Sequence, residues 1–405
     1  MARSIVAVLE IGTSNTVVLI GEAMEGGRVR VLGKGIARTA GVRKGLIIEP
    51  KQASAGLASA LKQAEDAADV TVGEVLLAVS GSHIAATPGE GRLPVRATDG
   101  KVTRDDLEEI RELARETQPS GERAMLHTIP QFYRLDDMDN LPNPVGMRGK
   151  QLQLAMLFIH GQRARLDDAQ DLLRERTIDM RGINFSALAA ASAVLTPEQR
   201  GHGVALVDLG GGTTNYVVYR NNVIVSVGSF GVGGDHVTND IAQAFSLPVN
   251  KAEELKLSDG CAVIDPQRSA RRIELPASVV AAAARSISVK ALHTVIEARL
   301  RETLGLVRDQ VGPELRHAGA GLVFTGGGAY LPQLDELAAR VFGMRAQIGE
   351  PLPQYIENLR DDRLRPAALA TVSGLLIRNA QMRDADTASG PMISLVDKLK
   401  KGFGR

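Results

Sequence analysis

Residues 204–209 (VALVDL) form an apolar run broken only by Asp208, and Gly210, Gly211 and Gly212 end it. The hydroxyls of Thr213 and Thr214 follow, then a second β-branched run at 216–219. A short apolar run of this kind, closed by turn residues, predicts a buried strand, and the pair predicts a hairpin. The N-terminal segment repeats the arrangement, with apolar positions 5–9, Glu10, the turn Gly12, Thr13, Ser14 and Asn15, and another apolar run at 17–20. Strand, acid, glycine-hydroxyl turn and strand thus occur twice, which predicts two related subdomains facing each other across a cleft.

Between and beyond these hairpins the spacing changes. Ala53, Leu57, Ala60, Leu61 and Ala64 give residues 50–68 one apolar helical face, and 75–79 reads as a short buried strand. Leu107, Ile110 and Leu113 predict an amphipathic helix behind a Thr103 cap, with Asp105 and Asp106 in its first turn. QLQLAMLFIH alternates as a strand does, and residues 84–161 together read as an inserted α+β unit. His127 and His160 lie in or beside its strands and read as structural, having no acidic or sulfur partner at ligand spacing. A helix is expected around 167–176, and an alanine-rich one at 185–195, where small side chains suit either a hinge or a tight core. GVGGDHVTNDIAQAF places a glycine turn at Gly233 before a helix. A third glycine turn, Gly326, Gly327 and Gly328, separates a strand at 322–324 from a helix at 331–341, and 368–377 is a second small-residue helix.

Composition narrows the function classes. A chain of 405 residues is long enough for several subdomains. Lys+Arg 48 against Asp+Glu 47 implies no broad basic face and no nucleic-acid partner. A single cysteine, Cys261, excludes an internal disulfide and fits a reducing cytoplasm. No signal-peptide pattern and no run of about 18 apolar residues is present, so the chain is expected to be neither secreted nor transmembrane.

The turns carry the candidate chemistry. Glycines without Cβ atoms let the backbone approach a ligand and aim successive N–H groups at a phosphate. Glu10 and Asp208, each at a strand end before its turn, suit a metal ion held through water. Glu253 and Lys256 share one helix face and either grip an adenine and ribose edge or form a solvated ion pair. At the C-terminus, Met392, Ile393, Leu395, Val396, Leu399 and Phe403 are spaced for an apolar helix face, with Lys398, Lys400 and Lys401 beside it. Such a segment is expected to lie in a membrane interface on anionic lipid, behind a polar tether at 380–391.

LEIGTSN, VDLGGGTTNY and FTGGGAYLP resemble the two phosphate motifs and the adenosine motif of the actin, sugar kinase and heat-shock chaperone ATPase superfamily. SALAAASAVL and ALATVSGLLI fall where its two connecting helices belong, and HTIPQFYRLDD with NPVGMRGKQL resembles the subdomain 1C specific to the FtsA family of bacterial cell-division proteins. AEELK resembles that superfamily's adenine-gripping helix.

The resemblance implies an α/β, actin-like two-lobed fold of duplicated mixed-sheet subdomains around a nucleotide cleft. Subdomain 1A would take residues 1–83 and 162–198, 1C residues 84–161, 2A residues 199–234 and 305–365, and 2B residues 235–304. The second connecting helix would follow at 366–379, then the linker and the membrane-targeting helix at 392–405.

It further implies ATP or ADP with Mg2+ in the cleft and filaments of the chain. The FtsZ tail peptide would dock on 2B and later division proteins on 1C, with the protein on the cytoplasmic face of the cell membrane at the division site. Two alternatives remain open: an actin-like scaffold of a pilus or secretion machine, and a small-molecule kinase of the superfamily. The sequence departs from the superfamily at Glu10, where much of it has Asp, and in the first connecting helix. That helix offers Ser186 and Ser192 where chaperones and many actin-like filaments carry Glu or Gln, so hydrolysis is expected to be slow or absent.

Overall fold

The structure is a computed structural model and describes residues 5–275 and 285–388. In chain order, β1 (Ile5–Ile11), β2 (Asn15–Met24) and β3 (Arg28–Arg38) form an antiparallel meander. A small hairpin follows, of β4 (Val42–Arg43) and β5 (Leu46–Ile47), and then α1 (Pro50–Ala68) and β6 (Glu74–Val79). The chain next leaves for β7 (Ile84–Pro94), α2 (Arg104–Glu116), β8 (Arg123–Leu135), β9 (Met138–Leu141) and β10 (Gln151–Gln162). It returns through α3 (Arg163–Arg174), β11 (Asp179–Phe185) and α4 (Ser186–Val194).

The second half begins with α5 (Pro197–His202) and repeats the meander as β12 (Val204–Leu209), β13 (Thr214–Arg220) and β14 (Val223–Phe230). Then come α6 (Gly234–Phe245), α7 (Val249–Asp259), β15 (Arg272–Leu275), β16 (Arg285–Ser288) and α8 (Val289–Val311). The chain closes with β17 (Leu322–Thr325), α9 (Leu334–Phe342), β18 (Ala346–Ile348), β19 (Ile356–Glu357) and α10 (Ala370–Ala388).

The duplication read from the two hairpins is a duplication of topology. One sheet has the order β11-β6-β1-β2-β3-β19, the other β14-β13-β12-β17-β18. In each, an antiparallel meander continues into two parallel strands on the side of its first strand. β1 and β12 are therefore equivalent, and their C-terminal ends face the ligand side that open α/β sheets favour.

β12 shows why its run lacks a solvent-facing period. Val204 and Leu206 belong to the core containing α4 and α10, whereas Ala205, Val207 and Leu209 belong to the core under α6, α7, α8 and α9. Both faces are covered, so both are apolar. α4 and α10 lie between the two sheets, with Val8 and Leu19 on one side and Leu206 and Val217 on the other. The inserted segment builds its own four-stranded sheet, β7-β10-β8-β9, over a separate core with α2. Thr103 caps α2, as the sequence predicts, and Asp106 returns the bond by accepting from Thr103 N.

Three boundaries differ from expectation. α3 starts at Arg163, earlier than the helix expected around 167, so its buried face is Leu166, Ala169, Leu172 and Leu173. After Gly326 the chain makes a tight turn over Gly327–Tyr330, and α9 begins only at Leu334. α10 runs to Ala388, into the stretch expected to be a tether, and neither glycine nor proline interrupts it between Leu375 and Gly390. Residues Met392, Ile393, Leu395, Val396, Lys398, Leu399, Lys400, Lys401 and Phe403, assigned to a membrane interface, lie outside the described residues. No helix among the described residues is long and apolar enough to cross a membrane.

Candidate nucleotide cleft

The two hairpin turns are built alike. Gly12 N donates to Asn15 O at 3.1 Å, and Gly210 N donates to Thr213 O at 2.9 Å. Each turn thus closes with the same bond, two residues beyond its acidic residue. The two turns also meet. A Cβ on Gly211 would stand 2.0 Å from Ser14 Oγ, and one on Gly212 would stand 2.4 Å from Thr13 Oγ1. Only glycine permits that approach.

The third glycine turn joins the same place. Gly326 has φ 85, and a Cβ there would lie 2.4 Å from Asp208 Oδ1. Gly328 packs against Leu209, and Gly326 N donates to Ala367 O just before α10. Gly327, between them, has nothing nearer than Ala368 Cβ.

The strip from Gly231 through Gly233 to the start of α6 caps the second turn. Gly234 N donates to Gly210 O at 2.9 Å and Asp235 N to Gly211 O at 2.8 Å, so the start of α6 is anchored on the turn's carbonyls. Thr214 Oγ1 donates to Val232 O, so this hydroxyl helps hold the strip. Glu253 and Lys256 form an ion pair of 2.7 Å, and Lys256 Nζ also donates to Gly234 O and Thr238 Oγ1. Thr238 Oγ1 in turn donates to Glu253. With its side chain only 13% exposed, Lys256 sits against the start of α6 and is not half of a solvated surface pair.

Glu10 and Asp208, one from each lobe, act on each other electrostatically. Burial first and then the Asp208 charge raise the Glu10 carboxyl, against an opposing hydrogen bond with Thr371 of α10, and together they leave it at about 8. Burial raises Asp208 to about 6, opposed by a bond from Asn215 Nδ2 at 3.2 Å. Two buried carboxylates that disfavour each other's charge are relieved by a cation between them. Among the described residues no cluster of three or more His, Cys, Asp or Glu forms a ligand cage. The donor set therefore fits a hard cation that draws its remaining oxygens from water and phosphate, as Mg2+ does.

Ser186 Oγ donates to Val79 O and Ser192 Oγ to Leu188 O, so both hydroxyls are spent on backbone carbonyls. His127 is structural, as expected: its Nε2 accepts from Phe185 N at 3.0 Å, and burial lowers it to about 3.

Comparison with known sequences decides the family. A family model described as "Cell division protein FtsA" matches residues 205–374, and one described as "SHS2 domain inserted in FTSA" matches residues 81–160. "Cell division protein FtsA" of Escherichia coli (strain K12) is 34% identical over 383 residues, covering 92% of this chain and 90% of the relative. The chain belongs to the FtsA family. The FtsA relative of Neisseria meningitidis is 29% identical, covering 92% of this chain and 89% of its own.

Among solved structures, the "PilM-PilN type IV pilus biogenesis complex" aligns with TM-score 0.61 at 18% identity, covering 93% of this chain and 98% of that one. MreB5 of Spiroplasma citri bound to ADP aligns with TM-score 0.54 at 16% identity, covering 95% and 99%. These fix the actin-like fold of this FtsA-family chain.

Sequence reading missed a polar chain across the cleft. Gly81 N, on the first lobe, donates to Ser229 Oγ at 2.9 Å; Ser229 Oγ donates to Asn215 Oδ1 at 2.6 Å; and Asn215 Nδ2 reaches Asp208. Ser80 Oγ lies 3.4 Å from Thr213 Oγ1 beside it. The available signal was SGS at 80–82, a small-residue turn at a strand end like the other turns of the cleft.

Proposed function

We propose that this FtsA-family chain is an ATP-binding, polymerising adaptor of cell division that tethers the FtsZ ring to the cytoplasmic face of the membrane. The observation that carries the nucleotide part is the abutment of the turns at Ser14 and Gly211, with Glu10 and Asp208 behind them. A phosphate chain entering there meets backbone N–H groups from both lobes, and Mg2+ supplies the charge that lets both carboxylates ionise. Gly326, Gly327 and Gly328 line the adenosine side, with Glu253 and Lys256 beyond the start of α6. MreB5 of Spiroplasma citri, which shares the fold, has been solved with ADP and with AMPPNP, which supports this placement.

With Ser186 and Ser192 spent on carbonyls, water is not oriented for attack and the nucleotide acts as a structural ligand. Cleft closure then sets the angle between the lobes, and with it the surfaces that meet the next subunit. Residues 235–304 receive the FtsZ tail peptide, residues 84–161 later division proteins, and residues 392–405 anionic lipid. One short helix binds lipid marginally, but several on one filament bind firmly.

Two measurements test this reading. Equilibrium dialysis of the full chain with ATP and Mg2+ should show one site per chain, and absence of binding would remove the nucleotide part. Sedimentation with anionic vesicles should retain the full chain and lose one ending at Pro391; equal retention would remove the anchor.

A further inference from the structure

Lys44 stands at the tip of the β4–β5 hairpin, and the hairpin spends unusual backbone on putting it there. The turn runs through two left-handed residues, Lys44 at φ 53 and Gly45 at φ 74. The first central position of such a turn ordinarily holds Asn, Asp or Gly, because a longer side chain there is strained. A strained lysine at a functional crevice is a reason to ask what the lysine does.

Its neighbours answer in part. Gly45 N donates to Thr13 Oγ1 at 3.3 Å, tying the tip to the first phosphate turn. A Cβ on Gly45 would lie 2.5 Å from Ser80 O, so the tip is wedged against the 80–81 turn as well. The stem of Lys44 reaches the other lobe: a Cβ on Gly231 would lie 3.2 Å from Lys44 Cδ and 3.3 Å from Lys44 Cβ. Gly231 begins the strip that Thr214 holds at Val232 and that α6 anchors on the second turn. Lys44 is therefore fastened to one turn through the backbone of its neighbour Gly45 and laid on the other turn's support through its side chain.

The ammonium has no carboxylate within ion-pair distance among the described residues. The charge it does affect is His236 in the first turn of α6, which burial and then Lys44 hold low. Arg299 also lowers His236 while Asp235 and Asp240 raise it, and Asp235 in turn faces Arg38, at the end of β3, and the Glu253–Lys256 pair.

We propose that Lys44 is a phosphate ligand of the cleft, reaching the polyphosphate from the first lobe while its stem rests on Gly231 of the second. This rests on the reading of the cleft as a nucleotide site. An ammonium is a compact point charge with three donors, suited to oxygens whose number and position change between di- and triphosphate. Lys44 thereby makes affinity depend on phosphate count, and its stem makes that contact depend on the lobes being together.

The test is equilibrium dialysis of ATP, ADP and adenosine in excess Mg2+ with the full chain and with Lys44→Gln and Lys44→Arg, each checked by its melting temperature. Lys44→Gln should weaken ATP by about tenfold or more, as loss of a charged hydrogen bond does, and ADP by less. It should leave adenosine unchanged, and Lys44→Arg should retain most of the ATP affinity. Equal ATP affinity in the parent chain and Lys44→Gln overturns the assignment while leaving the nucleotide site standing. A uniform loss for all three ligands also overturns it, since that marks damage to the cleft and not a lost phosphate contact. Failure of the parent chain to bind ATP or ADP removes the nucleotide reading itself, and Lys44 with it.

Discussion

Gly374 of α10 lies so close to Ala189 of α4 that a Cβ at position 374 would stand 1.7 Å from the Ala189 carbonyl oxygen. The two helices are the layer between the lobes, and their small residues (Ala187, Ala189, Ala190, Ala191, Ala370) are what the approach requires. The relation of the lobes is thus set where two backbones touch, below the cleft in which the turns meet.

Gly374→Ala tests that contact against intrinsic propensity. In an exposed helix interior the change would stabilise by about 0.5–1 kcal/mol. Here the methyl must push the helices apart, and overpacking typically costs about 1–3 kcal/mol. Urea denaturation should therefore show a loss of stability, with the inserted subdomain's own core untouched. A variant at least as stable as the parent would show that the helices have room to spare.

A second substitution asks whether the turns need to touch. Gly211→Ala places a methyl on Ser14 Oγ and should weaken ATP binding by about tenfold or more by holding the lobes apart. Ser14→Gly in the same chain removes the obstructing oxygen and should recover part of the loss, a non-additivity expected of residues in contact. If the double variant is no better than the sum of its parts, the abutment does not govern binding.

The inserted subdomain and its neck set an acid dependence. Burial holds His83 down to about 4 and His127 down to about 3, against an ordinary value of 6.5. Above pH 6.5 both are neutral whether the chain is folded or not, and they cost nothing. As pH falls below 6.5 the unfolded chain takes up protons that the folded chain refuses, so stability declines by about 1.4 kcal/mol per pH unit for each histidine. The decline continues to about pH 4 for His83 and about pH 3 for His127. His127→Gln keeps an acceptor for Phe185 N and removes the titration, so stability measured between pH 6.5 and pH 4 should fall less steeply than in the parent. Parallel curves would place the acid sensitivity elsewhere.

What the sequence made legible is what local pattern encodes. The VALVDL run is apolar on both sides because both sides of β12 are covered, and that could be read without coordinates. α1 spans Pro50–Ala68, the range its alanine and leucine spacing predicts. The matched acids and turns also announced two equivalent strands. The contacts that cross between lobes left no such trace: Gly81 with Ser229, and Lys44 with Gly231, are far apart in the chain and made by residues common in any turn. Nor does the sequence show that the Thr214 hydroxyl donates to Val232 O, eighteen residues on. α10 continues through the polar residues 378–388, because polarity alone does not break a helix.

The carboxylate pair yields the last test. Without a cation, Glu10 and Asp208 are held above their ordinary values of 4.5 and 3.8, so ionising both works against the closed arrangement. Asp208→Asn deletes one of the two charges while leaving a side-chain oxygen to accept from Asn215. The nucleotide-free variant should therefore melt at the parent's temperature or above it at pH 8, since a buried charge has gone and a hydrogen bond remains. Nucleotide binding should behave in the opposite sense: the parent should bind ATP more tightly when Mg2+ replaces a chelator, and the variant should lose most of that difference. A variant that melts lower and keeps its full Mg2+ response would mean that Asp208 braces the fold through Asn215 and Ser229 and that the cation is held without it.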